Sequence, residues 1–139
     1  MKVAVVYWSG TGNTEAMAQA LAGAIGEKGA EAELLTPGQF SADDVANYDV
    51  FALGCPSMGD EVLEESEFQP MYDAVEGALS GKTVALFGSY GWGDGQWMRD
   101  WEERAKAAGL NVIAVLIANE SPDADAIDQL NALGAQLAG

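Results

Sequence analysis

Four continuous apolar runs, Val3 to Trp8, Val50 to Gly54, Thr83 to Gly88 and Val112 to Ala118, constrain this chain more than any other feature. Each is rich in valine, leucine, isoleucine or aromatic residues, which suits strands covered on both faces of a sheet. A weaker fifth run, Ala32 to Thr36, meets Glu31 and Glu33 in alternation, and charge of that kind marks an edge strand protected from unwanted pairing. Helical patterns separate the runs. Met17, Leu21, Ala24 and Ile25 make one stripe, and Trp97, Trp101, Ala105 and Ala108 another, with Gly29 and Gly109 following as C-terminal caps. A third helix is expected from near Gln69 to Leu79. The last has Ser121 as N-cap, Pro122 at its first position, and Ile127, Leu130, Leu133 and Leu137 on its buried face. Strands alternating with helices imply βαβ units, hence a parallel sheet with helices on both faces.

No linker, repeat or low-complexity tract divides the 139 residues, so one domain spanning 1–139 is expected. A chain of this size buries ~70% of its unfolded surface and needs no staple. None is available, because Cys55 is the single cysteine; it is expected to be a small buried hydrophobe without redox chemistry. The absence of histidine removes histidine-activated nucleophiles, histidine-ligated metals and the commonest general base near neutral pH. Twenty-two acids against six bases give a formal charge of −16, and Lys2, Lys28, Lys82, Arg99, Arg104 and Lys106 are too scattered to form a basic patch. Nucleic acid and anionic lipid are therefore excluded as expected partners. The apolar runs fall far short of the ~20 residues that cross a bilayer, and the N-terminus lacks the regions of a signal peptide. A cytoplasmic location is expected.

In open parallel sheets ligands bind beyond the carboxyl ends of the strands, so the strand-to-helix loops carry the chemistry. The first, Ser9-Gly10-Thr11-Gly12-Asn13-Thr14, has no charge; it offers small polar side chains, two glycines and amide N–H groups at a helix N-terminus. That is an oxyanion site, best matched to a phosphate. It is neither a Walker loop, which needs a glycine-lysine pair, nor a dinucleotide fingerprint, which needs Gly or Ala where Glu15 stands. The second, Pro56-Ser57-Met58-Gly59-Asp60-Glu61, holds a four-residue turn from Met58 to Glu61. A type II turn needs positive φ at Asp60 and a type II′ turn needs it at Gly59. Both residues tolerate it, so the peptide between them can flip at small cost. The third, Ser89-Tyr90-Gly91-Trp92-Gly93-Asp94-Gly95, interleaves aromatic rings with glycines. Exposed rings of this kind stack on planar ligands. Trp97 and Trp101, at helical spacing, belong to the core instead. Together the loops describe a ligand with a phosphate at one end and a flat ring held between Met58 and Trp92. Flavin mononucleotide (FMN) meets the description. An adenine nucleotide also meets it, although a site without lysine or magnesium-binding carboxylates suits one terminal phosphate better than several.

The segments Tyr7-Trp8-Ser9-Gly10-Thr11-Gly12-Asn13-Thr14-Glu15, Met58-Gly59-Asp60-Glu61 and Leu86-Phe87-Gly88-Ser89-Tyr90-Gly91-Trp92-Gly93 resemble those of the short-chain bacterial flavodoxins. The resemblance covers essentially the whole chain, and no insertion interrupts the fifth strand. It implies an α/β fold with a five-stranded parallel doubly wound sheet in the order 2-1-3-4-5. It also implies that Ser9, Thr11, Asn13 and Thr14, with the amides of Gly10 and Gly12, hold the FMN phosphate. Met58 would cover the inner ring face and Trp92 the outer, with Pro56 and Ser57 beside them and Ser89 and Tyr90 in the loop after the fourth strand. Glu61 would accept from the ring N3–H, amides near Gly91 would face the pyrimidine oxygens, and the Gly59 carbonyl would turn toward N5. Asn119 and Glu120 would reach the cofactor edge.

The expected function is a low-potential one-electron carrier, cycling mainly between neutral semiquinone and anionic hydroquinone, and not an enzyme. Met58, Gly59, Asp60, Glu61 and Trp92 would tune the potentials. Asp60, Glu61, Glu64, Glu65 and Glu67 place five carboxylates within eight residues of this loop. A carboxylate ~12 Å away in water costs an anionic ring ~0.3 kcal/mol before screening. The same acids would dock basic-surfaced redox proteins, reductases and low-potential acceptors, weakly and with salt sensitivity. Acids on the helix backs, such as Glu27, Glu76 and Asp128, are expected to be a solvated face. A monomer is expected. A small FMN-dependent quinone or nitro reductase is the alternative, although no second pocket is evident. A phospho-receiver of similar architecture needs acids after the first strand and a lysine after the fifth, where Trp8-Ser9 and Asn119-Glu120 stand.

Overall fold

A computed structural model describes residues 1–59 and 61–139. Five strands, β1 (Lys2–Tyr7), β2 (Glu31–Leu35), β3 (Val50–Gly54), β4 (Thr83–Tyr90) and β5 (Asn111–Asn119), pair in parallel in the order β2-β1-β3-β4-β5. Four α-helices connect or follow them: α1 (Asn13–Glu27), α2 (Phe68–Val75), α3 (Gln96–Ala107) and α4 (Ala124–Leu137). The period-two geometry of a strand divides each apolar run between two cores. Val3 and Val5 of β1 face Met17, Leu21 and Ile25 of α1 and Leu130 and Leu133 of α4. Ala4 and Val6 join Phe51, Leu53, Val84 and Leu86 against Phe68 and Tyr72 of α2 and Trp97 and Trp101 of α3. The sheet is therefore doubly wound. The winding of the sheet switches direction between β1 and β3, and because all strands run parallel the loops after β1, β3 and β4 lie side by side at one end.

The helix stripes lie inside as expected, with Trp97 and Trp101 only 1% and 2% exposed, except that Ala108 and Ile127 are only partly buried. Some local expectations change. Strand β5 is an outer strand, so Val112, Ile113, Ala114 and Val115 are only partly buried although the run is apolar throughout. Ser89 and Tyr90 belong to β4, because β5 continues alongside and pairs with them. The α4 N-cap is Asp123, whose carboxylate accepts from the Ala126 amide at 2.9 Å; Ser121 and Pro122 precede the helix. Helix α2 opens at Phe68 and tightens to a 3₁₀ turn over Glu76–Leu79. Glu76 is no solvated acid, since its carboxylate pairs with the Arg104 guanidinium at 3.0 Å while Arg104 also reaches Asp73 at 2.7 Å.

Candidate functional site

The loop after β1 is organised by Ser9. Its Oγ accepts from the amides of Gly12 at 3.1 Å and Glu15 at 3.2 Å, and the Ala16 amide closes on the Gly12 carbonyl at 2.9 Å. The amides of Asn13 and Thr14, in the first turn of α1, have no hydrogen-bond partner among the described residues. Unpaired amides at the positive end of a helix are donors awaiting an anion. Thr14 is 1% exposed, and its hydroxyl lies 3.4 Å from both the Oγ and the amide of Ser89, which ties this loop to β4. Trp8 underlies the loop. A Cβ added at Gly10 would stand 3.0 Å from its ring, so a larger residue there would push the indole by a few tenths of an ångström. The indole Nε1 donates to Glu67 at 2.7 Å across a separation of 59 residues. Beneath, the Tyr7 hydroxyl donates to Glu15 at 3.2 Å; burial, then the Glu15 charge, raises its pKa.

The loop after β3 leaves the sheet at Cys55, whose amide donates to the Phe87 carbonyl at 3.1 Å; Ser57 continues the ladder by donating to Ser89 at 3.0 Å. Cys55 is fully buried, and burial pushes its thiol up to about 12, as expected of an unreactive core cysteine. The chain then reverses. The closing pair is Met58 with Val62, which exchange two backbone hydrogen bonds of 2.9 Å, so the reversal is one residue longer than a Met58–Glu61 turn. Gly59 has φ 49° and Glu61 φ 57°, while Asp60, the other residue of the expected flip, lies outside the described residues. The Glu61 carboxylate accepts from the Gln96 amide at 3.2 Å, at the N-terminus of α3. Met58 and Val62 are exposed at the tip, 36% and 38%.

Tyr90 ends β4 with two roles. Its ring packs 5.6 Å from that of Trp97, and its carbonyl accepts from the Glu120 amide at 2.7 Å and the Asn119 side-chain amide at 3.4 Å. Trp92 beyond it is 61% exposed, which agrees with a surface ring and not a core one.

All three loops border one cleft of about 480 Å³, a size suited to a small-molecule site. Gly10, Thr11 and Asn13 come from the first loop, Pro56, Ser57 and Met58 from the second, and Ser89, Tyr90 and Gly91 from the third. Trp8, Glu120 and Ser121 complete the lining. Ser9 and Gly12 border instead a neighbouring hollow of about 460 Å³ on the β2 side of the first loop. Glu61 faces a smaller groove with Val62, Leu63 and α3. Thr14, Gly59, Trp92 and Asn119 do not border the cleft. Trp8 and Ser121 were not among the residues expected to bind; an apolar strand end and a presumed helix cap carry no local signal of a cleft. The donor set fits FMN: orphan amides and hydroxyls at one end without a counter-cation, and a partly apolar slot beside Met58 and Tyr90 at the other. Among the described residues no three acids or cysteines cluster to hold a metal.

Comparison with known proteins agrees with this reading. The family model described as flavodoxin matches residues 5–132. The flavodoxin of Clostridium beijerinckii is 52% identical over 120 residues, 86% of this chain and 87% of that one. The flavodoxin of Megasphaera elsdenii is 50% identical over 121 residues, 87% and 88% of the two chains. A solution structure of two-electron reduced Megasphaera elsdenii flavodoxin superimposes with a TM-score of 0.89 at 47% identity, covering 96% of this chain and 98% of that one.

Proposed function

The chain belongs to the flavodoxin family, and from that premise we propose how its own residues hold the cofactor and set its potentials. It is an FMN-binding electron carrier that works with redox partners, and not an enzyme. When bound, FMN supplies a ring that accepts electrons singly, and the proposed working range is the low-potential step between its one-electron and two-electron reduced forms. Residues 1–139 act as one domain.

In this reading the unpaired Asn13 and Thr14 amides and the hydroxyls of Ser9 and Thr11 would hold the phosphate, while the buried Thr14 hydroxyl ties the loop to Ser89. The Ser9 Oγ, which accepts from the Gly12 and Glu15 amides, preforms the loop. Binding an anion there needs little reorganisation, which preserves affinity. Met58 and Trp92 flank the ring and exclude water. Pro56, Ser57, Ser89 and Tyr90 wall the slot, Gly91 offers its amide, and Asn119 steadies the Tyr90 carbonyl. Glu61 exchanges the Gln96 amide for the ring N3–H. Gly59, whose φ of 49° only glycine adopts freely, would offer its carbonyl as an acceptor to a protonated ring N5. The exposed Glu65 and Glu67 would lower the second potential by repelling the negative charge of full reduction.

The net charge of −16 and the exposed apolar tip at Met58, Val62 and Trp92 support docking of basic-surfaced reductases and acceptors by a monomer. A cytoplasmic location is part of the same proposal. Among the described residues no helix is long and apolar enough to cross a membrane. Family membership does not favour the quinone or nitro reductase alternative.

The observation that carries the reading is the convergence of three loops on one cleft, lined at one end by Asn13, whose amide has no partner among the described residues. Its test is stepwise anaerobic reduction of the FMN-loaded protein with visible spectra. Two separated one-electron steps, with a long-wavelength band at half-reduction, are expected. A direct two-electron conversion would overturn the one-electron assignment.

A further inference from the structure

The acids between Glu61 and Glu67 look alike in sequence, yet the structure gives one of them a different task. Glu64 is 5% exposed, whereas Glu65 beside it is exposed. Its Oε1 accepts from the amides of Glu67 at 2.7 Å and Phe68 at 2.8 Å, and its Oε2 accepts from the Ser66 amide at 2.8 Å and the Ser66 hydroxyl. Of those amides, that of Phe68 is the first of α2, that of Glu67 belongs to its N-cap position, and that of Ser66 just precedes it. Glu67, at the N-cap position, does not serve them, because its own carboxylate is engaged by Trp8. Burial opposes the charge on Glu64, but the hydrogen bonds from Ser66, Phe68 and Glu67 outweigh it and lower its pKa. Roughly half a positive charge at the helix end offsets part of the carboxylate, so its field beyond the helix is weaker than that of an exposed acid.

The main chain of Glu64 does something further. Its amide donates to the Cys55 Sγ at 3.3 Å, and its carbonyl accepts from the Gln69 amide at 2.8 Å. Cys55 is itself held by β4 through the Phe87 carbonyl and by α3, since its carbonyl accepts from the Trp97 Nε1 at 3.2 Å. The two ends of the 56–63 loop thus meet at a buried joint between the end of β3 and the start of α2. Inside that joint sits the Met58–Val62 reversal.

We propose that Glu64 is a positioning residue: by capping α2 it closes the base of the 56–63 loop on Cys55 and so fixes where Met58, Gly59 and Glu61 stand. It acts on the cofactor through geometry and not through charge. The consequence for FMN rests on the cofactor assignment above, whereas the clamp itself does not.

The test compares Glu64→Gln with Glu65→Gln, each of which removes one negative charge. The glutamine amide at 64 sets its own donors against donor groups on one side, which breaks half of the cap. In the FMN-free protein, amide hydrogen exchange at Met58, Val62 and Ser66 to Phe68 is expected to accelerate at least tenfold in Glu64→Gln, with β3 and β4 unchanged. Glu65→Gln leaves it unchanged. In the FMN-loaded protein, Glu64→Gln is expected to weaken FMN binding several-fold and move the first potential, while Glu65→Gln moves only the second. Unchanged exchange in Glu64→Gln, or equal shifts of the same potential in both variants, would overturn the proposal. If Glu64→Gln unfolds globally, Cys55→Ala carries the test: faster exchange at Met58, Val62 and Glu64 supports the joint, and unchanged exchange overturns it. Failure of FMN to bind the unmodified protein refutes the cofactor reading, and the exchange arm still decides the clamp.

Discussion

Replacing Gly59 with alanine separates a backbone effect on redox chemistry from every steric one. Gly59 has φ 49°, and a Cβ placed on it meets no heavy atom within 4 Å. The cost is therefore conformational: an L-residue held in the left-handed region loses ~1–2 kcal/mol. Alanine also restricts the unfolded chain, which returns ~0.4–1 kcal/mol in a denaturation experiment. Global stability should accordingly fall by ~1 kcal/mol or less. A redox step compares two folded states, so the unfolded-chain contribution cancels and the positive-φ penalty acts undiminished on whichever state requires it. If the oxidised FMN-loaded protein holds Gly59 at negative φ and the first reduction returns it to the positive φ seen here, ~1 kcal/mol makes the first one-electron potential more negative by ~40 mV, since ~59 mV corresponds to ~1.4 kcal/mol for one electron. Gly12→Ala is the control. Its φ is 97° and its Cβ position is equally open, so it carries a like penalty, but in the phosphate loop, where every redox state pays it equally. Anaerobic spectroelectrochemical titration of both variants at one pH reads the difference. An unchanged first potential in Gly59→Ala, or the same shift in both, refutes the carbonyl switch.

Other expectations follow from single interactions. Cys55, buried with its thiol raised to about 12, should resist neutral thiol reagents at pH 8 and label quickly on unfolding; rapid labelling of the folded protein would contradict the buried joint. Glu64 has a lowered pKa when folded, so its contribution to stability is full above the ordinary carboxylate value near ~4.3 and is lost as the pH falls through its folded value. Denaturant midpoints should show a smaller acid loss in Glu64→Gln than in the unmodified protein, and equal losses would argue against that ionised cap. The Trp8–Glu67 hydrogen bond is exposed and should contribute no more than ~1 kcal/mol. Glu67→Gln should therefore weaken FMN at most about fivefold while leaving riboflavin, which has no phosphate, unaffected; equal losses for both would remove Trp8 from the support of the phosphate loop.

How much of this was legible in the chain depends on the range of the interactions involved. The apolar runs, the helix stripes, the burial of Trp97 and Trp101 and the three polar or aromatic loops follow from periodicity and local residue chemistry, which act over a few positions. Those signals also supply the ligand class, because hydroxyls, glycines and uncharged amides at a helix start describe an anion site wherever the helix packs. The full strand order came from resemblance; the charged alternation of Glu31 and Glu33 marks β2 as one edge, but no local preference puts the apolar β5 at the other, and β5 is half-exposed because among the described residues nothing pairs beyond it.

The acids show the boundary most clearly. Composition determined that this surface is strongly negative, but only tertiary packing decided that Glu64 is buried as a helix cap, Glu67 engaged by Trp8 and Glu76 paired with Arg104. Hydrogen bonds joining Trp8 to Glu67 or Trp97 to Cys55 cross 59 and 42 residues. A carboxylate's neighbours in sequence determine its charge and its reach, whereas its role follows from which donors the folded sheet and helices bring within 3 Å, and that is a property of the whole chain.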